Sequence, residues 1–345
     1  MDFKLIKPKK LSKGDTIGVI APSAGNAKLF PHRVEMAEKT LKELGYKVKF
    51  ASNSLKNIGY VSESAKKRVD DIHEMFLDKE VRAIICTIGG NHSSQLLKLI
   101  DYEIIKNNPK IFIGYSDISV LHYAFIKRSN LVTFYGPCLM TQFGEYPKIL
   151  NYTLNYFNKA VTIGKSIGNV EQSEMWTAEI LDWTKKMDLE RPRELQRADD
   201  LIWLKKGVAK GKIVGGCVPS INHLIGTEYW LDPLDNIFFI DIPEGHEFGK
   251  GLPISDLDAY LTDLENIGVF KDISGLIIGR PYNYSNENIE LLKNILLRIT
   301  QKYSYPIVLN ANIGHCDPII TLPYGIETVL NSEKDIFMFS ESGVS

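Results

Sequence analysis

Ile111-Phe112-Ile113-Gly114-Tyr115-Ser116-Asp117-Ile118 is the stretch that decides how this chain folds. A short apolar run, Ile111 to Ile113, meets a turn, Gly114 to Asp117, and a helical pattern continues from Ile118 to Ile126. Strand, tight turn and helix form the repeating unit of a parallel sheet with helices packed on its faces. The turn sets a serine hydroxyl at the end of a strand. It also aims the first free N–H groups of a helix at whatever that hydroxyl attacks. Gly114, lacking a Cβ, is expected to make the turn sharp. The same residues suit an ordinary Ser/Asp helix cap, and the tetrapeptide by itself does not separate the two.

Outward from this turn, strands and helices alternate through the first 160 residues. Thr16 to Ala21, Lys47 to Phe50, Ala83 to Thr87 and Ile111 to Tyr115 read as strands. Pro31 to Leu44 has helical spacing and stops at Gly45. Ser62 is placed to cap a helix with Ala65, Val69, Ile72 and Phe76 on one face. The unbroken apolar run at Ala83 fits a strand buried on both sides. Ligands of such sheets bind beyond the carboxyl ends of the strands, where Gly89-Gly90 and Ser116 both fall.

Two distant residues complete a pattern. Asp241 ends the apolar run Ile237-Phe238-Phe239-Ile240, and His315 follows the strand-like Pro306 to Leu309. Serine, carboxylate and histidine each stand at the end of a strand-like segment, in the chain order of one known triad arrangement. A histidine can take the serine's proton, and a carboxylate behind it fixes the tautomer and stabilises the imidazolium. Cys316 adjoins His315, but neighbours on an extended segment point to opposite faces.

Residues 161–205 are polar and weakly periodic, with charged stretches and Trp176, Trp183 and Trp203. They read as a connection packed over the site. Each tryptophan either pins this segment to the body or faces a ligand. From about Leu201 strands resume, at Leu201 to Leu204, Lys212 to Val214, Asn236 to Asp241, Leu276 to Ile278 and Pro306 to Leu309. Ser255 is placed to cap a helix that Gly268 ends, and another helix spans Glu287 to Ile299. The expected domains are 1–160, carrying the serine, and 206–345, carrying the carboxylate and histidine.

Composition fits an enzyme rather than a nucleic-acid or membrane protein. The 345 residues suggest roughly two domains of about 150 residues each. Net charge is −1, which gives no attraction to nucleic acid or an anionic membrane. No apolar run is long enough to span a bilayer, and the first residues lack the apolar core of a signal peptide. Cys86, Cys138, Cys217 and Cys316 are widely spaced, without metal-site spacing, and read as reduced thiols in a cytoplasm.

Several motifs recur in order along the chain. They are Ala21-Pro22-Ser23-Ala24-Gly25, Thr87-Ile88-Gly89-Gly90-Asn91, Gly114-Tyr115-Ser116-Asp117, Phe134-Tyr135-Gly136-Pro137 and Gly215-Gly216. Ser274 to Arg280, Gly314-His315 to Pro318, and Thr321-Leu322-Pro323-Tyr324-Gly325 follow. With these motifs the chain resembles, nearly end to end, the LD-carboxypeptidase family of serine peptidases, which includes the microcin C self-immunity proteins. The resemblance implies an α/β protein: a flavodoxin-like parallel sheet, then a smaller mixed α/β domain of swivelling type. It implies a triad of Ser116, Asp241 and His315, with the backbone N–H groups of Gly90 and Asp117 as oxyanion hole. It implies no metal or cofactor, a homodimer, and a substrate that is a small peptide or a peptidyl nucleotide.

Three residues depart from that family's pattern. Asp241 stands where glutamate is usual, one methylene shorter, with Glu244 as an alternative carboxylate. Cys217 stands at a substrate-binding position that is usually asparagine. Gly245 matches a lysine of the immunity branch, and in that branch a tryptophan matching Trp183 stacks on a nucleobase. The reading expected from these residues is hydrolysis of an amide near the C-terminus of a murein-derived peptide. The alternatives are hydrolysis of aminoacyl-nucleotide amides and a catalytically weak, substrate-binding descendant.

Overall fold

The computed structural model describes residues 5–345. Its first sheet holds β1 (Thr16–Ile20), β2 (Lys47–Phe50), β3 (Val81–Cys86), β4 (Ile111–Gly114) and β5 (Phe134–Tyr135). These five strands are parallel and lie side by side in the order 2-1-3-4-5, the flavodoxin-like winding. Ile84, Ile85, Phe112 and Ile113 are fully buried, which explains why β3 and β4 are apolar without alternation. Helices α1 (Pro31–Glu43), α2 (Ala65–Leu77) and α3 (Ser119–Ser129) connect the strands. α3 is buried on almost every side because it also packs against the second sheet.

Past α4 (Asn151–Val161) the chain builds an eight-stranded mixed sheet. Its strands are β6 (Gly168–Asn169), β7 (Ile202–Lys205), β8 (Val208–Cys217), β9 (Ile237–Asp241), β10 (Gly275–Gly279) and β11 (Ile307–Ala311). After β12 (Leu322–Pro323) come the last two, β13 (Glu327–Asn331) and β14 (Ile336–Phe339). β8, β9, β10 and β11 are parallel, and β7 and β13 flank them antiparallel. α5 (Ile254–Asn266) and α6 (Asn286–Ile299) provide the crossovers. β12 leaves this sheet altogether. It pairs antiparallel with β5 and closes the outer edge of the first sheet. The 161–205 segment likewise supplies β6 and β7, edge strands at opposite ends of the second sheet.

Two helix starts differ from the sequence expectation. α2 begins after Ser64, and the Ser62 hydroxyl instead donates to the Ala21 carbonyl at 2.6 Å, tying the end of β1 to the approach to α2. α5 begins after Pro253, so Ser255 lies inside its first turn rather than capping it. α6 is capped by Ser285, whose Oγ accepts from the Asn288 N–H at 3.2 Å. Among the described residues no helix is long and apolar enough to cross a membrane.

Candidate active site

Ser116 has φ +65°, in the left-handed region that a residue with a Cβ seldom occupies. Such strain at a strand-to-helix turn is the geometry of a nucleophile elbow. The sharp bend is therefore made by Ser116 itself and not by Gly114. Gly114 is needed for close packing instead, since a Cβ there would lie 2.9 Å from the Ile118 side chain. Ser116 opens a single helical turn that runs into α3. Its own N–H donates to the Tyr135 hydroxyl at 3.1 Å.

Gly89 and Gly90 lie directly against this serine. A Cβ on Gly89 would sit 2.8 Å from Ser116 Cβ and 3.0 Å from its Oγ, and one on Gly90 would strike Ser23 Oγ. Only glycine lets this loop approach so closely. The Asp117 carboxylate accepts from the N–H groups of His92 and Ser93, both at 3.0 Å, and from the Ser93 hydroxyl at 2.7 Å. It thereby pins the residues after Gly90. The Asp117 N–H is the second of a helical turn and has no acceptor within that turn.

Opposite stands His315, its side chain 5 % exposed. Nδ1 is 2.8 Å from Asp241 Oδ2, close for an ion pair but off the line of a straight hydrogen bond. The Tyr135 hydroxyl donates to the same Oδ2, while the buried Oδ1 has no partner. Gly314, at φ +99°, is obligatory here because any Cβ would collide with the Asp241 carboxylate. Nε2 of His315 lies 3.6 Å from Glu244 Oε2, on a half-exposed side chain. Burial by itself would lower the imidazole's affinity for a proton. Asp241, and after it Glu244, outweigh burial and push the pKa up to about 9.

Cys217 and Asp241 are register partners at the ends of β8 and β9, and the thiol lies within 4.8 Å of the His315–Asp241 pair. Two ligands of a tetrahedral zinc, each about 2.0 Å out, stand about 3.3 Å apart. The 2.8 Å between Nδ1 and Oδ2 fits an ion pair better than shared metal ligation. The Cys217 side chain is buried and is not among the residues lining the cleft. Burial, helped by Asp241, pushes its thiol well above the ordinary range.

Ser116, Gly89, Gly90, His315, Glu244 and Trp183 share one cleft of about 410 Å³. The Arg33 guanidinium lies 4.5 Å from the Trp183 ring, and Phe30 meets that ring edge-on at 5.4 Å. Arg33 is itself held by Asp188 at 3.1 Å and by the Met140 and Thr141 carbonyls. Arg193 bridges Glu145 and Asp317, each at 2.8 Å. Both cleft arginines are thus already matched by carboxylates. Trp176 and Trp203 are occupied elsewhere: Arg280 lies over the Trp176 ring, and Trp203 Nε1 donates to Asp335.

Sequence reasoning assigned no role to Tyr135, Arg33, Arg193 or Asp317. Tyr135 and Asp317 lie inside motifs quoted above, so proximity to the serine and histidine motifs was an available signal. Nothing local marks the two arginines, whose partners lie far along the chain.

The family description "LD-carboxypeptidase N-terminal domain" matches residues 17–136, and "LD-carboxypeptidase C-terminal domain" matches 210–330. Two relatives from Bacillus subtilis (strain 168) carry provisional names. YocD, named a carboxypeptidase, is 33 % identical over 316 residues, covering 92 % of this chain and 93 % of its own. A second, named a murein peptide carboxypeptidase, is 29 % identical over 342 residues, covering 98 % and 95 %. The solved structure of the microcin C7 self-immunity protein MccF in complex with aspartyl sulfamoyl adenosine superposes with a TM-score of 0.88. It is 26 % identical and covers 99 % of this chain and 100 % of its own.

Proposed function

The chain belongs to the LD-carboxypeptidase family, and from that premise we propose that it is a serine hydrolase cleaving an amide near the C-terminus of a murein-derived peptide. Ser116 Oγ attacks the scissile carbonyl, and His315 takes the serine proton and passes it to the departing amine. Water, activated by the same imidazole, then hydrolyses the acyl ester. Asp241 orients the imidazole from the Nδ1 side. Glu244 lies by Nε2, the nitrogen that must face serine, which supports Asp241 rather than Glu244 as orienter. The N–H groups of Gly90 and Asp117 receive the oxyanion. The observation that carries this reading is the left-handed Ser116, pressed against Gly89 in the cleft that also holds His315.

The lining favours a peptide over a nucleotide as substrate. Glu244 adds negative charge beside His315 to a cleft whose two arginines are already matched, while Glu179 and Asp182 are themselves paired, with Arg191 and Lys185. A phosphate or sulfamate meets repulsion there, whereas an ammonium-bearing peptide is attracted. Trp183 supports a second reading, an immunity-type hydrolase of aminoacyl nucleotides, because its ring lines the cleft on a fixed arginine. Base stacking on such a ring contributes roughly 1–3 kcal/mol.

Side-by-side assays of an L,D-tetrapeptide and aspartyl sulfamoyl adenosine separate the readings. We expect release of the terminal D-residue and little cleavage of the adenosine compound. Efficient cleavage of the latter, falling at least about tenfold in Trp183→Ala, would reverse the order. Ser116→Ala is expected to abolish turnover with the fold intact. Wild-type-like hydrolysis by that folded variant would sink the mechanism. A covalent acyl adduct at Ser116 distinguishes an enzyme from a binding descendant.

A further inference from the structure

We infer that Tyr135 is a positioning residue of this site: its one hydroxyl links the backbone of Ser116 to the carboxylate of Asp241, joining nucleophile and orienting group in a single hydrogen-bond chain. The inference rests on the triad reading above.

Tyr135 ends β5, beside β4, in register with Gly114. Its side chain is 1 % exposed. Phe239, Tyr324 and Tyr115 hold the ring edge-on, at 5.2, 6.2 and 6.3 Å between centroids. A ring so enclosed cannot swing its hydroxyl elsewhere. The oxygen accepts from the Ser116 N–H at 3.1 Å and donates to Asp241 Oδ2. Ser116 belongs to the first sheet's loops and Asp241 ends a strand of the second, so this oxygen joins the two sheets where the chemistry is assembled.

Two consequences follow. The Ser116 N–H is engaged and is not an oxyanion donor, which leaves that task to Gly90 and Asp117. Among the described residues, the phenol is also the neutral donor on a buried carboxylate whose other oxygen has no partner. A carboxylate stripped of that donor binds the imidazolium more tightly, so a proton on His315 is harder to remove. Glu244 and Asp317 also raise the histidine's proton affinity. The other ionisable groups close by include the Cys217 and Cys316 thiols and the Tyr115, Tyr135 and Tyr324 phenols. Burial pushes each of them well above its ordinary range, so they stay neutral across the working pH.

Tyr135→Phe removes one oxygen and keeps the ring. We expect kcat to fall by about tenfold or more with KM nearly unchanged, and the acid limb of kcat/KM to move up by about one pH unit. The His315 imidazole, followed by ¹⁵N NMR without substrate and assigned with His315→Ala, should show the same upward shift of its midpoint. An unmoved midpoint, or an unchanged rate, overturns the inference. Phe239→Leu loosens the same packing but keeps the hydroxyl. It should lower stability and leave the midpoint in place, and an equal shift there would also overturn the inference. If folded Ser116→Ala still turns over, the triad reading falls, and this inference with it. If Ser116→Ala is inactive and the Tyr135→Phe midpoint does not move, this inference alone falls.

Discussion

One methylene separates Asp241 from glutamate, and the shorter arm still brings Oδ2 to 2.8 Å of the His315 Nδ1. The backbone supplies the missing reach, because Gly314 lets the strand end approach the carboxylate where any Cβ would collide. Asp241→Asn should therefore lose far more kcat than Glu244→Gln, since an amide cannot stabilise the imidazolium. Kinetics giving the opposite order would move the orienting role to Glu244. The histidine's raised pKa also has a sign to check. Asp241 and Glu244 favour the protonated ring, and only the neutral ring acts as base. Activity should then rise with pH, its acid limb lying above the ordinary histidine value of about 6.5. Glu244→Gln removes one of the raising charges and should bring that limb down. A pH–rate profile with its limb at or below about 6.5 contradicts this account. At this scale Ser116, Asp241 and His315 could be singled out as candidates because each stands at the end of a strand-like segment. Tyr135 was passed over although it lies in the Phe134 to Pro137 motif, since a tyrosine in an apolar pair looks like any core residue.

Loops beyond strands, rather than the strands themselves, decide whether the site forms. The Gly89-Gly90 loop lies so close to Ser116 that Gly89→Ala must shift either the loop or the serine. A displacement of about 1 Å can cost about 10²-fold in rate. We expect a loss of that order in kcat, with a melting temperature close to wild type. An alanine variant of full activity would mean that the loop has slack. Arg68 on α2 anchors both neighbouring loops, donating to the Pro22 carbonyl at 2.7 Å and the His92 carbonyl at 3.2 Å. Its burial was invisible in the sequence, where an arginine on a helix reads as solvated. Strand and helix positions were largely legible from apolar runs and spacing. Helix starts were less so. Ser62 and Ser255 both resemble caps, but one hydroxyl is drawn to the Ala21 carbonyl and the other follows Pro253 into the helix.

Across the whole molecule, the first four parallel strands of the first sheet could be read from sequence because each alternates with a helix, whereas the two-residue β5 could not. One edge of each sheet could not. β6 and β12 are two residues long, and their partners lie far away along the chain, so no local pattern announces them. The connection over the site is fixed by charge as well as by strand pairing. Arg193 joins it to Glu145 of the first part and Asp317 of the second. Arg193→Met should leave two buried carboxylates without their shared cation. Breaking such a buried arrangement costs about 3–5 kcal/mol, so chemical denaturation should show a loss of that order together with a raised KM. A stability within about 0.5 kcal/mol of wild type would mean that the segment is held by packing alone.

The β12 strand that closes the first sheet also has a meaning in time. A ribosome making this chain releases β5 about 190 residues before β12, a delay of roughly 10–40 s at typical rates of synthesis. Through that interval the serine's own sheet has an open edge, and for most of it neither the carboxylate nor the histidine has been made. If Ser116 works with Asp241 and His315 as proposed, a nascent chain does not hydrolyse through it until the segment carrying His315 and β12 has emerged and folded back. On the proposed triad, hydrolytic competence is thereby tied to the emergence of β11 and β12, and a fragment that stops before them is expected to be inert.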